Sequence, residues 1–90
     1  MKQDWYVYIL KCKDDTFYTG VTTDIARRLE EHNTSPKGAK YTSTRRPAIL
    51  VYQETYPTRS LAQKQERLVQ GLKRSIKMAL VATYKDSSIS

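Results

Sequence analysis

Five side chains spread along ninety residues have the types that hydrolysis of a phosphate diester needs: Tyr8, Tyr18, Arg28, His32 and Glu66. A tyrosine hydroxyl can take a proton from water, and an arginine is a permanent cation for the phosphate. A histidine ring orients a hydroxyl or a water, and a carboxylate holds a divalent metal. Tyr8 closes the run Tyr6-Val7-Tyr8, and Tyr18 opens Tyr18-Thr19-Gly20 ten residues later. Arg28 follows Tyr18 by ten positions, with His32 one helical turn further on. Taken singly, each residue has a plainer role. Strand tyrosines are usually half-buried, and Arg28 and His32 at i and i+4 would be surface residues of a helix, His32 capping its end. Glu66, close to Lys64 and Arg67, would be a solvated helix charge. The joint order gives them chemical meaning.

The chain around them must supply rigid elements. Trp5 to Leu10 is aromatic and β-branched and apolar at both parities, as expected of a central strand covered on both faces. Lys13-Asp14-Asp15-Thr16 reads as a turn into a second strand, Phe17 to Val21, so the two form a hairpin. Pairing Cys12 with Thr16 puts Leu10 opposite Tyr18, with Tyr8 diagonal to it. Thr22-Thr23-Asp24 offers a helix cap, and Ile25 to His32 continues at helical spacing. Ile25 and Leu29 form the apolar stripe there, Arg28 and His32 flank it, and Arg27, Glu30 and Glu31 point away. Asn33 to Pro47 is polar, broken and basic, and reads as a loop. A third strand over Ala48 to Gln53 follows, then a helix from about Leu61 to Leu72. Its buried stripe is Leu61, Ala62, Leu68, Val69 and Leu72, with Glu66 on the flank. A last helix covers Arg74 to Tyr84. The expectation is an α+β domain over residues 1–85, a small three-stranded, mainly antiparallel sheet flanked by helices in the order β-β-α-β-α-α, with 86–90 as a flexible tail.

A chain of this length supports one modest core. Its charge of +7, from sixteen Lys and Arg against nine Asp and Glu, favours a polyanionic partner such as nucleic acid. Cys12 is the single cysteine, which excludes an internal disulfide and a cysteine-rich zinc site and fits a reducing, cytoplasmic setting. Cys12 and His32 do not make a thiol nucleophile, because the sequence identifies nothing to orient the ring or form an oxyanion hole. The apolar run from Trp5 to Leu10 is too short for a signal peptide or a membrane anchor, so neither is expected.

Tyr6-Val7-Tyr8, Tyr18-Thr19-Gly20, Arg28, His32 and Glu66, in this order, resemble the signature of the GIY-YIG nuclease superfamily, in its small single-domain branch. The likeness extends to the stretch Gly38-Ala39-Lys40-Tyr41-Thr42. The first motif begins with Tyr6 where the family has glycine and carries Val7 in the middle. The second has Thr19 where isoleucine or valine is commoner, and Val21 stands where some relatives carry lysine, so help from that lysine is absent here. The resemblance implies a Mg²⁺- or Mn²⁺-dependent endonuclease, with Glu66 as the metal ligand, Arg28 on the scissile phosphate and Tyr8 as the favoured base with Tyr18 as partner. His32 would orient a tyrosine or the water. Products with a 5′-phosphate and a 3′-hydroxyl follow, and the resemblance points to DNA.

Backbone phosphates would be held by the basic loop, Lys37, Lys40, Arg45 and Arg46, and by Lys64, Arg67, Lys73, Arg74 and Lys77 on the later helices. Such contacts predict weak sequence specificity. Two competing readings keep the fold but not the free-standing activity: a non-catalytic nucleic-acid-binding module, and a nuclease subunit that works only when a protein partner presents the substrate.

Overall fold

A computed structural model of the protein describes residues 3–38 and 40–89, with side chains through Tyr84. Ala39 of the Gly38–Thr42 stretch and Ser90 of the expected tail lie outside the described residues. Strand β1 (Trp5–Lys11) is the middle of a three-stranded antiparallel sheet, between β2 (Phe17–Thr22) and β3 (Ile49–Tyr56). The hairpin register is the expected one: the Cys12 amide donates to the Thr16 carbonyl at 2.8 Å, and Leu10 faces Tyr18. The turn is tight because Asp15 takes the left-handed conformation, φ 66°, which Asp tolerates better than most residues. Thr16 Oγ1 donates to Asp14 Oδ1 at 2.6 Å and braces it.

Alternation along β1 builds two cores. Tyr8 and Leu10 lie on one face with Cys12 and Ala48, covered by Ile25 and Leu29 of α1 (Ile25–Thr34). Ile9 lies on the other with Tyr52 and Val69, covered by α3 (Arg59–Gln70) and α4 (Arg74–Ile89). Asp24 caps α1 by accepting from the Arg27 amide, and Thr58 caps α3 by accepting from the Leu61 amide.

The structure departs from the sequence expectation in five places. The basic segment is not all loop: α1 runs to Thr34, and one turn of helix, α2 (Lys40–Ser43), interrupts the rest. The third strand extends to Tyr56, and α4 is helical to Ile89, past Tyr84. On α3 the buried stripe is narrower than expected. Ala62 and Val69 are buried, whereas Leu61 and Leu68, one residue earlier and so about 100° round the helix, are exposed. His32, placed beside the α1 stripe, is fully buried. The cause lies in Gly38, where a Cβ would fall 2.5 Å from the Glu31 carbonyl oxygen and 2.7 Å from His32 Cα. Glycine lets the following segment press onto α1 and close over the ring. Among the described residues, no helix is long and apolar enough to cross a membrane.

Candidate active site

Tyr8 is brought to the site by the central strand, and its phenol ends against α1, where the Oη lies 2.9 Å from His32 Nε2. The other ring nitrogen, Nδ1, is 2.8 Å from the Thr42 hydroxyl, so strand, helix and α2 are joined through one imidazole. Tyr8, His32 and Thr42 are all buried. Burial pushes the Tyr8 phenol well above its ordinary pKa, with Tyr18 adding to the rise and Arg28 opposing it. Burial, reinforced by the Arg28 charge, pulls His32 down to about 4, so its ring is neutral at physiological pH.

Gly20, directly opposite Tyr8 in the hairpin, makes room for this phenol. A Cβ there would sit 2.5 Å from the Tyr8 hydroxyl and 2.7 Å from Cζ. A larger residue would drive the ring off His32. Tyr18, the strand neighbour, stands edge-on to the His32 ring at 5.0 Å and stacks towards Tyr41 at 6.1 Å. Arg45 covers the Tyr41 ring at 4.0 Å.

Arg28 leaves α1 beside this cluster. Its Nη1 donates to Glu31 Oε1 and to the Lys37 carbonyl, both at 2.9 Å. Glu31, expected to point away, is therefore the group that anchors Arg28, and hydrogen bonding from Arg28 holds its carboxyl below the ordinary range. Glu66 lies between Ala62 and Val69 on the flank of the buried stripe of α3, as expected. It is half-buried, desolvation raises its pKa against the opposing Arg67, and its charge is felt at Tyr8. Tyr8, Tyr18, Arg28 and His32 thus meet from two strands and α1, and Glu66 of α3 is near enough for its charge to act on Tyr8.

The expected phosphate contacts divide. Arg46 is occupied: its Nε donates to the His32 carbonyl and Nη2 to the Ser35 carbonyl, each at 2.7 Å, so it ties down the end of α1. Arg45 is partly engaged, through Nε to Asp14 at 3.0 Å. Arg74 lies over the Phe17 ring, and Lys77 lines a shallow groove with Tyr18, Tyr41 and Gln70. Lys37, Lys40, Lys64, Arg67 and Lys73 are exposed.

Residues 4–79 match the GIY-YIG catalytic domain. The chain belongs to the GIY-YIG family. It is 54% identical over 77 residues to a UPF0213 protein of Desulfotalea psychrophila, covering 86% of this chain and 70% of that protein. It is 47% identical over 76 residues to a UPF0213 protein of Staphylococcus haemolyticus, covering 84% and 92%. Among solved structures, a UPF0213 protein from Bacillus halodurans has a TM-score of 0.57 at 46% identity over 89% of this chain and 84% of that one. A protein from E. faecalis has a TM-score of 0.63 at 43% identity over 93% and 88%. The chain is therefore a GIY-YIG domain similar over most of its length to UPF0213 proteins, within a nuclease superfamily whose members generally use divalent metal ions.

The donor set of this GIY-YIG site is compatible with such an ion. Among the described residues, no group of three or more His, Cys, Asp or Glu side chains could hold a metal. Glu66 offers a single hard oxygen donor, which suits a cation that keeps most of its water.

Sequence reasoning missed three contributors: Thr42, Glu31 and the packing role of Gly38. Only the glycine left a local signal, a breaker within the basic segment.

Proposed function

We propose that this protein is a divalent-metal-dependent endonuclease that hydrolyses phosphodiester bonds of DNA, with a preference for the shape of the substrate over its sequence. The observation that carries this reading is the meeting of Tyr8, hydrogen-bonded to a neutral His32, with Arg28, together with Glu66 near enough for its charge to act on Tyr8. Because burial keeps the Tyr8 phenol protonated, a free phenolate is not the base at neutral pH. Instead Tyr8 Oη takes the proton of the attacking water while giving its own to His32 Nε2, 2.9 Å away. The water oxygen bonds to phosphorus, the bond from phosphorus to the ribose 3′ oxygen breaks, and solvent protonates the leaving oxygen, giving a 5′-phosphate and a 3′-hydroxyl.

Arg28, held through Nη1 by Glu31 and the Lys37 carbonyl, offers its remaining planar donors to the phosphate as charge builds. Glu66 would hold the Mg²⁺ or Mn²⁺ ion, which when bound supplies Lewis-acid stabilisation of phosphate oxygens. The exposed cations, Lys37, Lys40, Lys64, Arg67 and Lys73, give sequence-independent backbone contacts.

The test is cleavage of end-labelled single-stranded, duplex, flap and branched DNA, with matched RNA, in Mg²⁺ or Mn²⁺, by the parent, Arg28→Ala and Glu66→Ala. Metal-dependent cutting by the parent and its loss in both variants is the expected result. Equal cutting by all three, or salt-sensitive binding without cutting under any metal, would overturn it.

A further inference from the structure

The buried hydroxyl of Thr42 has a place in the site that the chemistry above does not use. His32 is held between two hydroxyls, Tyr8 Oη on Nε2 at 2.9 Å and Thr42 Oγ1 on Nδ1 at 2.8 Å. A neutral imidazole carries one ring proton, and the partner of one nitrogen decides the role of the other. A proton on Nε2 would point at Tyr8 and occupy the oxygen that has to receive a proton from water, while the phenol would have to aim its own hydrogen elsewhere. Gly20 crowds that hydroxyl on one side, and the Arg28 guanidinium beside it has only donors to offer. A proton on Nδ1 leaves Nε2 as an acceptor for Tyr8 and requires an acceptor behind the ring. Thr42 Oγ1 stands there, and a hydroxyl accepts as readily as it donates.

We infer that Thr42 is a positioning residue that accepts a hydrogen bond from His32 Nδ1–H and so holds the ring in the tautomer whose Nε2 receives the Tyr8 proton. Thr42 touches neither substrate nor metal. Its placement depends on α2, the single helical turn Lys40–Ser43, which sets Tyr41 against Tyr18 and the next residue behind His32. Thr42 is fully buried, so its hydroxyl is shielded from competition by solvent.

The inference rests on the phosphodiesterase reading for its purpose but not for its test. His32 is the only histidine in the chain, so long-range ¹H–¹⁵N correlation spectra of the untagged protein report one imidazole. The expected result is a protonated Nδ1 and an unprotonated Nε2 in the parent and in Thr42→Ser. In Thr42→Val, whose side chain has nearly the same shape, the Nε2–H form should become prominent. In cleavage assays Thr42→Val should lower kcat by about 10- to 100-fold with KM unchanged, and Thr42→Ser should restore most of the rate. An Nε2–H tautomer in the parent would overturn the inference even if the valine variant failed to fold, and so would an unchanged tautomer in Thr42→Val. Parent protein that shows the Nδ1–H tautomer but cuts nothing would count against the nuclease reading and leave the role of Thr42 standing.

Discussion

The two faces of strand β1 differ in what they bury. Ile9 goes to a core completed by Tyr52, Val69 and the partly buried Leu80 and Val81, where shape and apolar area set the energetics. Tyr8, the residue before it, goes to a face where a phenol, an imidazole and a threonine hydroxyl are buried together and hydrogen-bonded in series. The first face supplies cohesion, and the second spends part of it to hold polar atoms in fixed geometry. Buried polar groups are tolerated only when each is satisfied, so the second face is less forgiving of chemical change and more capable of chemistry.

Exchanging one atom on the polar face should separate activity from stability. Tyr8→Phe keeps the ring and removes the hydroxyl, and cleavage should fall by about 10²- to 10⁴-fold, measured as kcat on end-labelled DNA. The folded state should lose only about 1–3 kcal/mol, from the partner left at His32 Nε2. A variant that cuts as fast as the parent would break the comparison.

Ile9→Ala tests the opposite face. Urea unfolding should show a loss of about 2–5 kcal/mol through transfer and cavity costs, with kcat per folded molecule nearly unchanged. A fall in kcat matching that of Tyr8→Phe would mean that the two faces are not separable.

Acid should act mainly on the polar face. The folded protein keeps His32 neutral down to about pH 4, whereas in the unfolded chain a histidine takes up its proton near pH 6.5. Between these values the unfolded state binds more protons, so this contribution to stability is present above pH 6.5 and is lost as pH falls towards 4. From pH 7 to pH 4.5 the parent should lose roughly 2 kcal/mol more than His32→Asn, read from paired denaturant titrations. Equal losses would show that His32 is not the group responsible.

The smallest effect is expected at the rim. Glu31→Gln keeps a hydrogen-bond acceptor for Arg28 but removes the charge, and should slow cleavage by about two- to fivefold with little change in stability, since the amide carbonyl still accepts from Nη1. A loss as deep as that of Arg28→Ala would move Glu31 from anchoring to the chemistry itself.

Legibility followed the range of the interactions. The hairpin register came from the turn between Cys12 and Thr16, and the α1 boundary from Asp24, because turn and cap signals lie within a few residues of what they control. The buried stripe of α3 was only half legible. Leu61 and Leu68 are as apolar as Val69, and which side of the helix meets the sheet depends on how closely Ala62 lets it approach. Arg46 was indistinguishable from its neighbour Arg45 by composition, yet one clamps the α1 terminus and the other covers Tyr41.

The amino-acid sequence by itself determined the element order apart from the short α2, the central place of β1 and the membership of Tyr8, Tyr18, Arg28, His32 and Glu66 in one ordered set. Periodicity, turn chemistry and motif spacing are written along the chain. Only the tertiary structure decided that His32 is buried and neutral, that Glu31 anchors Arg28 and that Thr42 stands behind the imidazole. Those outcomes require α1, α2 and the sheet to close around the same few atoms, and burial and hydrogen-bond partners are properties of that closure.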